Sequence, residues 1–170
     1  MPVTWFRIAR RLAAAALAVP MLAVPSAASA RSNPSVTCAL AITPLQFGEY
    51  VPFDGAPSDF TATISVTCTT AAVAAEPLDG TIALIGAGTR GRHQLSQGSH
   101  PLDYQLYLDP ARTAPWGDGS GEGQLLPVSG MVGPTTPYRR AIIVYGRIPA
   151  LQASAAVGRY SDQVTVMLDY

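Results

Sequence analysis

Gly158-Arg159-Tyr160-Ser161-Asp162-Gln163-Val164-Thr165-Val166-Met167-Leu168-Asp169-Tyr170 closes the chain and reads as a β-strand. Val164, Val166, Leu168 and Tyr170 alternate with Thr165, Met167 and Asp169, the period of two expected of a strand with one face in a core. Neither a turn nor a closing strand follows Tyr170. The pattern therefore predicts a strand at a sheet edge, whose unpaired N–H and C=O groups are a template for another chain.

Working back from that strand, short alternating segments are separated by Gly, Pro, Asp and Ser clusters, and no segment has convincing helical periodicity. Strands are expected near Val36 to Thr43, Phe60 to Thr67, Leu78 to Ile85, Leu102 to Leu108, Arg140 to Ile148 and Tyr160 to Tyr170, with a short one around Gln124 to Val128. Thr70 to Ala75 has room for one helical turn before Pro77. Ala141 to Val144 is apolar on both parities, as in a strand covered on both sides. Asp109 to Gly123, rich in Gly, Pro and Asp, reads as an exposed loop. Six or seven strands at this spacing suggest a two-sheet β-sandwich.

The start of the chain is different in kind. Arg7, Arg10 and Arg11 precede an apolar run from Leu12 to Leu22, and Ala28-Ser29-Ala30 forms a small-residue cleavage pattern. Residues 1–30 are thus expected to be a secretory signal peptide and 31–170 the mature domain. A membrane anchor is the competing interpretation, but the run is short of the ~20 residues a span needs. Cleavage after Ala30 leaves eight Arg against eleven Asp and Glu, a net charge of −3, and the chain contains no Lys. A mildly acidic surface without basic clusters gives no electrostatic footprint for nucleic acid.

Cys38 and Cys68 are the only cysteines, in a chain expected to meet an oxidising compartment. Cys38 shares parity with Val36, Leu40 and Ile42, and Cys68 with Phe60, Ala62, Ile64 and Val66, so both sulfurs belong to the apolar face. One disulfide is the economical expectation, and no further ligands stand nearby to make a metal site.

Candidate catalytic groups are sparse. His93 and His100 lie between Gly91 and Pro101 beside Ser96, Ser99 and Asp103, without a strand-to-helix nucleophile turn. Their spacing matches no standard zinc site, and Asp118, Gly119, Gly121 and Glu122 lack the alternating oxygens of a calcium loop. Solvated loop polarity accounts for both histidines, and no enzyme, cofactor or metal is expected. Tyr50, Phe53, Trp116 and Tyr138 are candidates for an aromatic adhesive surface. Packing is the expectation for Phe53 and Tyr138, while Trp116, between Pro115 and Gly117 in the most polar loop, is the candidate adhesive residue.

Three stretches together resemble the spore coat protein U domain, the pilin domain of archaic chaperone-usher pili. They are Cys38 with Thr43-Pro44-Leu45-Gln46-Phe47-Gly48-Glu49-Tyr50; Leu102-Asp103-Tyr104-Gln105-Leu106-Tyr107 followed by Trp116-Gly117; and Tyr145-Gly146-Arg147-Ile148-Pro149-Ala150 with the terminal segment. The chain departs from the pattern at Leu151, at the alanine-rich Thr70 to Leu78 and at His93-Gln94-Leu95. The resemblance implies an all-β, incomplete immunoglobulin-like β-sandwich lacking its last strand, completed by donor-strand complementation. Val164, Val166, Leu168 and Tyr170 would line the acceptor groove. The implied partners are a periplasmic pilus chaperone, an outer-membrane usher and a neighbouring pilin that donates a strand. The implied role is a secreted, surface-exposed structural or adhesive subunit supporting attachment or biofilm formation.

A donor segment needs roughly 10 residues of alternating large apolar side chains to cross a sheet. Only Arg31 to Thr37 precede Cys38 in the expected mature chain, and Val36 is the one sizeable apolar residue among them. The sequence therefore predicts a subunit that accepts a strand and passes none on, as at a pilus tip or outside a long homopolymer. A self-sufficient secreted sandwich that binds carbohydrate through Trp116 is the alternative from another class.

Overall fold

The computed structural model describes residues 2–5, 35–86 and 92–170. No described residue is helical, and ten strands occur among them: β1 (Pro2–Trp5), β2 (Val36–Ile42), β3 (Leu45–Gln46), β4 (Ser58–Thr70), β5 (Glu76–Ile85), β6 (Arg92–Gln97), β7 (His100–Tyr107), β8 (Leu126–Val132), β9 (Tyr138–Ile148) and β10 (Asp162–Asp169). They form two sheets, β3-β1-β10-β5-β8 and β2-β4-β9-β7-β6. Every neighbouring pair is antiparallel except β1 and β10, which run parallel.

Alternation decides which side chains meet between the sheets. Val164, Val166 and Leu168 of β10 join Leu78, Ile82 and Leu84 of β5 and Val128 of β8 in the core. Facing them are Ile64, Val66 and Cys68 of β4, Leu102, Tyr104 and Leu106 of β7, and Val144 and Ile148 of β9. Two sheets joined through one apolar layer, with polar residues on the outer faces, make an immunoglobulin-like β-sandwich.

Several local expectations change. The expected loop between Gly91 and Pro101 is, over residues 92–101, not a loop: β6 and β7 make a hairpin turning at Gly98-Ser99, where Gly98 has φ 57°. A two-residue turn with a glycine at positive φ suits the twist of paired strands. The helical turn after Thr70 is absent, residues 71–75 bending into β5 instead. The double-sided apolar pattern of β9 also has another meaning, because Ile143 is 50 % exposed and Ala141 is exposed as well. β9 lies centrally within its sheet, between β4 and β7, so both of its edges are hydrogen-bonded while only one of its faces is covered.

Gly146 of β9 shows how tightly the layers meet. A Cβ there would lie 2.6 Å from Leu45 Cδ2 and 3.0 Å from the Phe47 ring. We expect Gly146→Ala to destabilise the fold by about 1–3 kcal/mol, as overpacking does. A denaturant titration against the parent chain measures it, and an unchanged midpoint would show that β3 yields freely.

Candidate functional site

The terminal strand has two different edges. One is paired with β5 along residues 165–169, from Thr165↔Ile85 to Asp169↔Thr81. On the other edge β1 pairs over three residues, Val3↔Asp162, Thr4↔Gln163 and Trp5↔Val164, while its far side pairs with β3 through Pro2↔Gln46 and Val3↔Leu45. The strand expected to stand without a partner therefore has a short one, drawn from the first residues of the chain. Between β3 and β10 the sheet has a slot one strand wide. Residues 165–169 have no strand partner on that side among the described residues.

The residues expected to line the acceptor groove, Val164, Val166 and Leu168, are buried against the opposite sheet, on the inward face of the strand that forms the slot wall. Tyr170 lies half-buried at the end of the slot, and its hydroxyl accepts a hydrogen bond from the Cys38 backbone N–H at 3.2 Å. That bond ties the end of β10 to β2 in the other sheet. Cys38 and Cys68 are register partners on β2 and β4 and form the expected disulfide.

The head of β10 carries a polar cluster that the sequence did not reveal. Tyr104 donates from its hydroxyl to Asp162 Oδ2 at 2.8 Å. His93 stacks against Tyr104 at 5.2 Å between ring centroids, is only 3 % exposed and has no hydrogen-bond partner for Nε2. Burial followed by the neighbouring Asp162 charge raises the Tyr104 phenol pKa, so this tyrosine stays a donor. Burial lowers the His93 pKa, and the Asp162 carboxylate opposes that only in part. Ser96 and Ser161 exchange backbone hydrogen bonds beside this cluster, joining β6 to the segment that enters β10. The expectation of two solvated histidines fails for His93, whereas His100 is exposed. Alternation of His93 with Leu95 ahead of Gly98-Ser99 is the hairpin signal that marks it as inward-facing.

The sign of a pH effect follows. With the folded pKa of His93 below 6.5, the unfolded chain binds this proton more readily. The His93 contribution is complete above the unfolded pKa and is lost as pH falls through the lowered folded value. We expect the melting temperature to drop as pH falls from 7 toward about 5, and His93→Phe to flatten that slope. Equal slopes in both proteins would place the acid sensitivity elsewhere.

Trp116 differs from its expectation as an adhesive loop residue. Its ring is fully buried in the core, and its Nε1 donates to the Ile82 carbonyl at 3.1 Å. The loop folds its base inward: Trp116 bridges Gln124, and a Cβ at Gly117 would lie 2.8 Å from Gly123 Cα. Two facing glycines let the strands of the loop approach closely enough for the indole to pass beneath them. The aromatic ring that does face solvent is Phe53, 76 % exposed despite the expectation that it packs, whereas Tyr50 is buried and Tyr138 half-buried. Among the described residues no three His, Cys, Asp or Glu side chains gather in a way that would hold a metal ion.

The class is an all-β, immunoglobulin-like sandwich whose final strand is paired with β5 on one edge and with the short β1 on the other. A family model, the Spore Coat Protein U domain, matches residues 25–167, and the chain belongs to that family. The family is one of structural pilin domains associated with chaperone-usher pilus subunits. No curated protein matches the chain. No described helix is long and apolar enough to cross a membrane.

Proposed function

We propose that this chain is an exported, non-catalytic pilus subunit that receives a strand from a neighbour along the open edge of β10. The observation that carries this reading is the slot between β3 and β10, which β1 enters by pairing with both walls. A parallel pairing on one side and an antiparallel pairing on the other satisfy the backbone of an inserted segment, which is strand addition. Val164, Val166 and Leu168 form the floor of this acceptor site, and Tyr170 marks its end.

β1 lies inside the segment read as a signal peptide. Cleavage after Ala30 removes it and vacates the slot, leaving the periplasmic chaperone, then a neighbouring pilin at the outer-membrane usher, to fill it. The mature N-terminus is a poor donor in its turn, because Val36 is already buried and paired with Thr70. A terminal position in the fibre, with a role in attachment or biofilm formation, fits that asymmetry. The carbohydrate-binding alternative loses its stacking residue with the burial of Trp116.

The test is to express the full chain with its leader in a bacterial periplasm, with and without the matching chaperone, and to measure soluble yield and melting temperature. Low yield alone and recovery with the chaperone or an added alternating-apolar donor peptide are expected. A stable, cooperative monomer indifferent to both would refute strand acceptance. Long fibres formed by the purified chain alone would refute the terminal position.

A further inference from the structure

The end of the sandwich where β10 begins carries a cleft of about 590 Å³, walled by residues 48–52 and 155–160. The first wall continues from β3 and the second leads into β10, so the cleft is the mouth of the slot. Val51 and Val157 line the cleft, and Phe53 and Leu151 stand outside it in the same two connections, β3 to β4 and β9 to β10, which together hold four of the eight exposed large apolar side chains among the described residues. Such clustering at one end, rather than scatter, marks an interaction surface.

The loops are held firmly. The Tyr50 hydroxyl donates to the Pro149 carbonyl and accepts from the Gln152 N–H, both at 2.9 Å. The Gln152 side chain accepts from the Asp103 N–H and donates to the Asp103 carbonyl, each at 2.8 Å, acting as a strand would beside β7. The Tyr160 hydroxyl accepts from the Ala156 N–H at 2.7 Å. Leu151 is held at φ 60°, an unfavourable conformation for a residue of its shape. Apolar groups presented on so rigid a base lose little entropy when covered.

The occupant follows from the slot, and the argument rests on the strand-acceptance reading above. A strand in the slot must continue into the rest of its own chain at one end. β1, parallel to β10, continues toward the far end, where the Tyr170–Cys38 hydrogen bond crosses between the sheets. A donor running antiparallel to β10, the more stable pairing and the sense of every other neighbouring pair, continues past the head of β10. At the near end the way out runs over the cleft. We infer that the apolar rim of Val51, Phe53, Leu151 and Val157 is a second docking surface, covered by the folded body of the chain that donates the strand. The slot captures the extended segment, and the rim fixes the angle between the two bodies.

Site-specific photocrosslinking in the bacterium that makes the protein tests this. Phe53→p-benzoylphenylalanine probes the rim and Met167→p-benzoylphenylalanine the slot edge, each in the full chain, with the crosslinked peptides mapped by mass spectrometry. The expected result is one and the same partner from both positions, through an extended segment at Met167 and through its folded domain at Phe53. A strand donor at Met167 with no product, or a different protein, at Phe53 would overturn the second surface while leaving strand acceptance intact. No extended partner at Met167 would overturn both. The pair Phe53→Ser with Val157→Ser is a separate measure: it should lower incorporation into surface fibres about tenfold while leaving the melting temperature of the chaperone-bound subunit unchanged. Unchanged incorporation would also count against the rim.

Discussion

Trp116→Ala is expected to destabilise the domain by about 3–5 kcal/mol, the range for emptying a large aromatic site in a core. The indole is fully buried and holds the Ile82 carbonyl of β5, the strand beside β10. Its loss leaves a cavity, an unpaired carbonyl and a loop with nothing beneath its base. Trp116→Phe separates these effects: it keeps most of the volume and forfeits the hydrogen bond, for about 1–3 kcal/mol when the acceptor is left buried. Denaturant unfolding followed by tryptophan emission measures the parent and circular dichroism the variants. The mature chain offers a single reporter, since Trp5 is the only other tryptophan and lies within the expected leader. A stable Trp116→Ala protein that had lost only surface attachment would return the residue to an adhesive role.

Cys38→Ser with Cys68→Ser should cost about 3–4 kcal/mol, the chain-entropy value for opening a loop of this length. The cysteines are 30 positions apart and join the edge strand β2 to β4. The slot matters to the size of the effect. In the mature chain as proposed, without β1, the sandwich would lack an inserted strand's contacts and the disulfide would be a larger share of what remains. A bound strand stabilises the folded state by mass action and should recover much of the deficit. Melting temperatures of the oxidised and serine proteins, with and without a donor peptide, test this. A donor peptide that left the melting temperature of the serine protein unchanged would overturn this.

Much of this architecture is legible in the sequence because alternation is a direct record of burial. β10 reads as a strand from Val164, Val166 and Leu168 alone, and the shared parity of Cys38 and Cys68 with apolar neighbours anticipates their pairing. What was hidden has physical causes. β3 has two residues, too few to show a period. Trp116 lies in a polar loop whose composition says nothing of a glycine pair that lets the ring turn inward. Ile143 and Phe53 are apolar residues facing solvent, and hydrophobicity reports a preference for burial without reporting what covers a face. His93 and Tyr104 are register partners in the β6–β7 hairpin, but Asp162 joins them from β10, 58 residues beyond Tyr104, so no local spacing announces the cluster.

The loop that buries Trp116 is anchored at its base by Gly117 and Gly123 and open at its tip, where a side chain at Gly121 would meet nothing within 4 Å. Tips of that kind accept foreign sequence while the anchored base keeps the fold. A peptide epitope inserted between Ser120 and Gly121 would therefore ride outside the sandwich on the β7–β8 connection, whereas the slot lies between β3 and β10. The pilin becomes a display carrier whose cargo site and assembly site are mechanically separate.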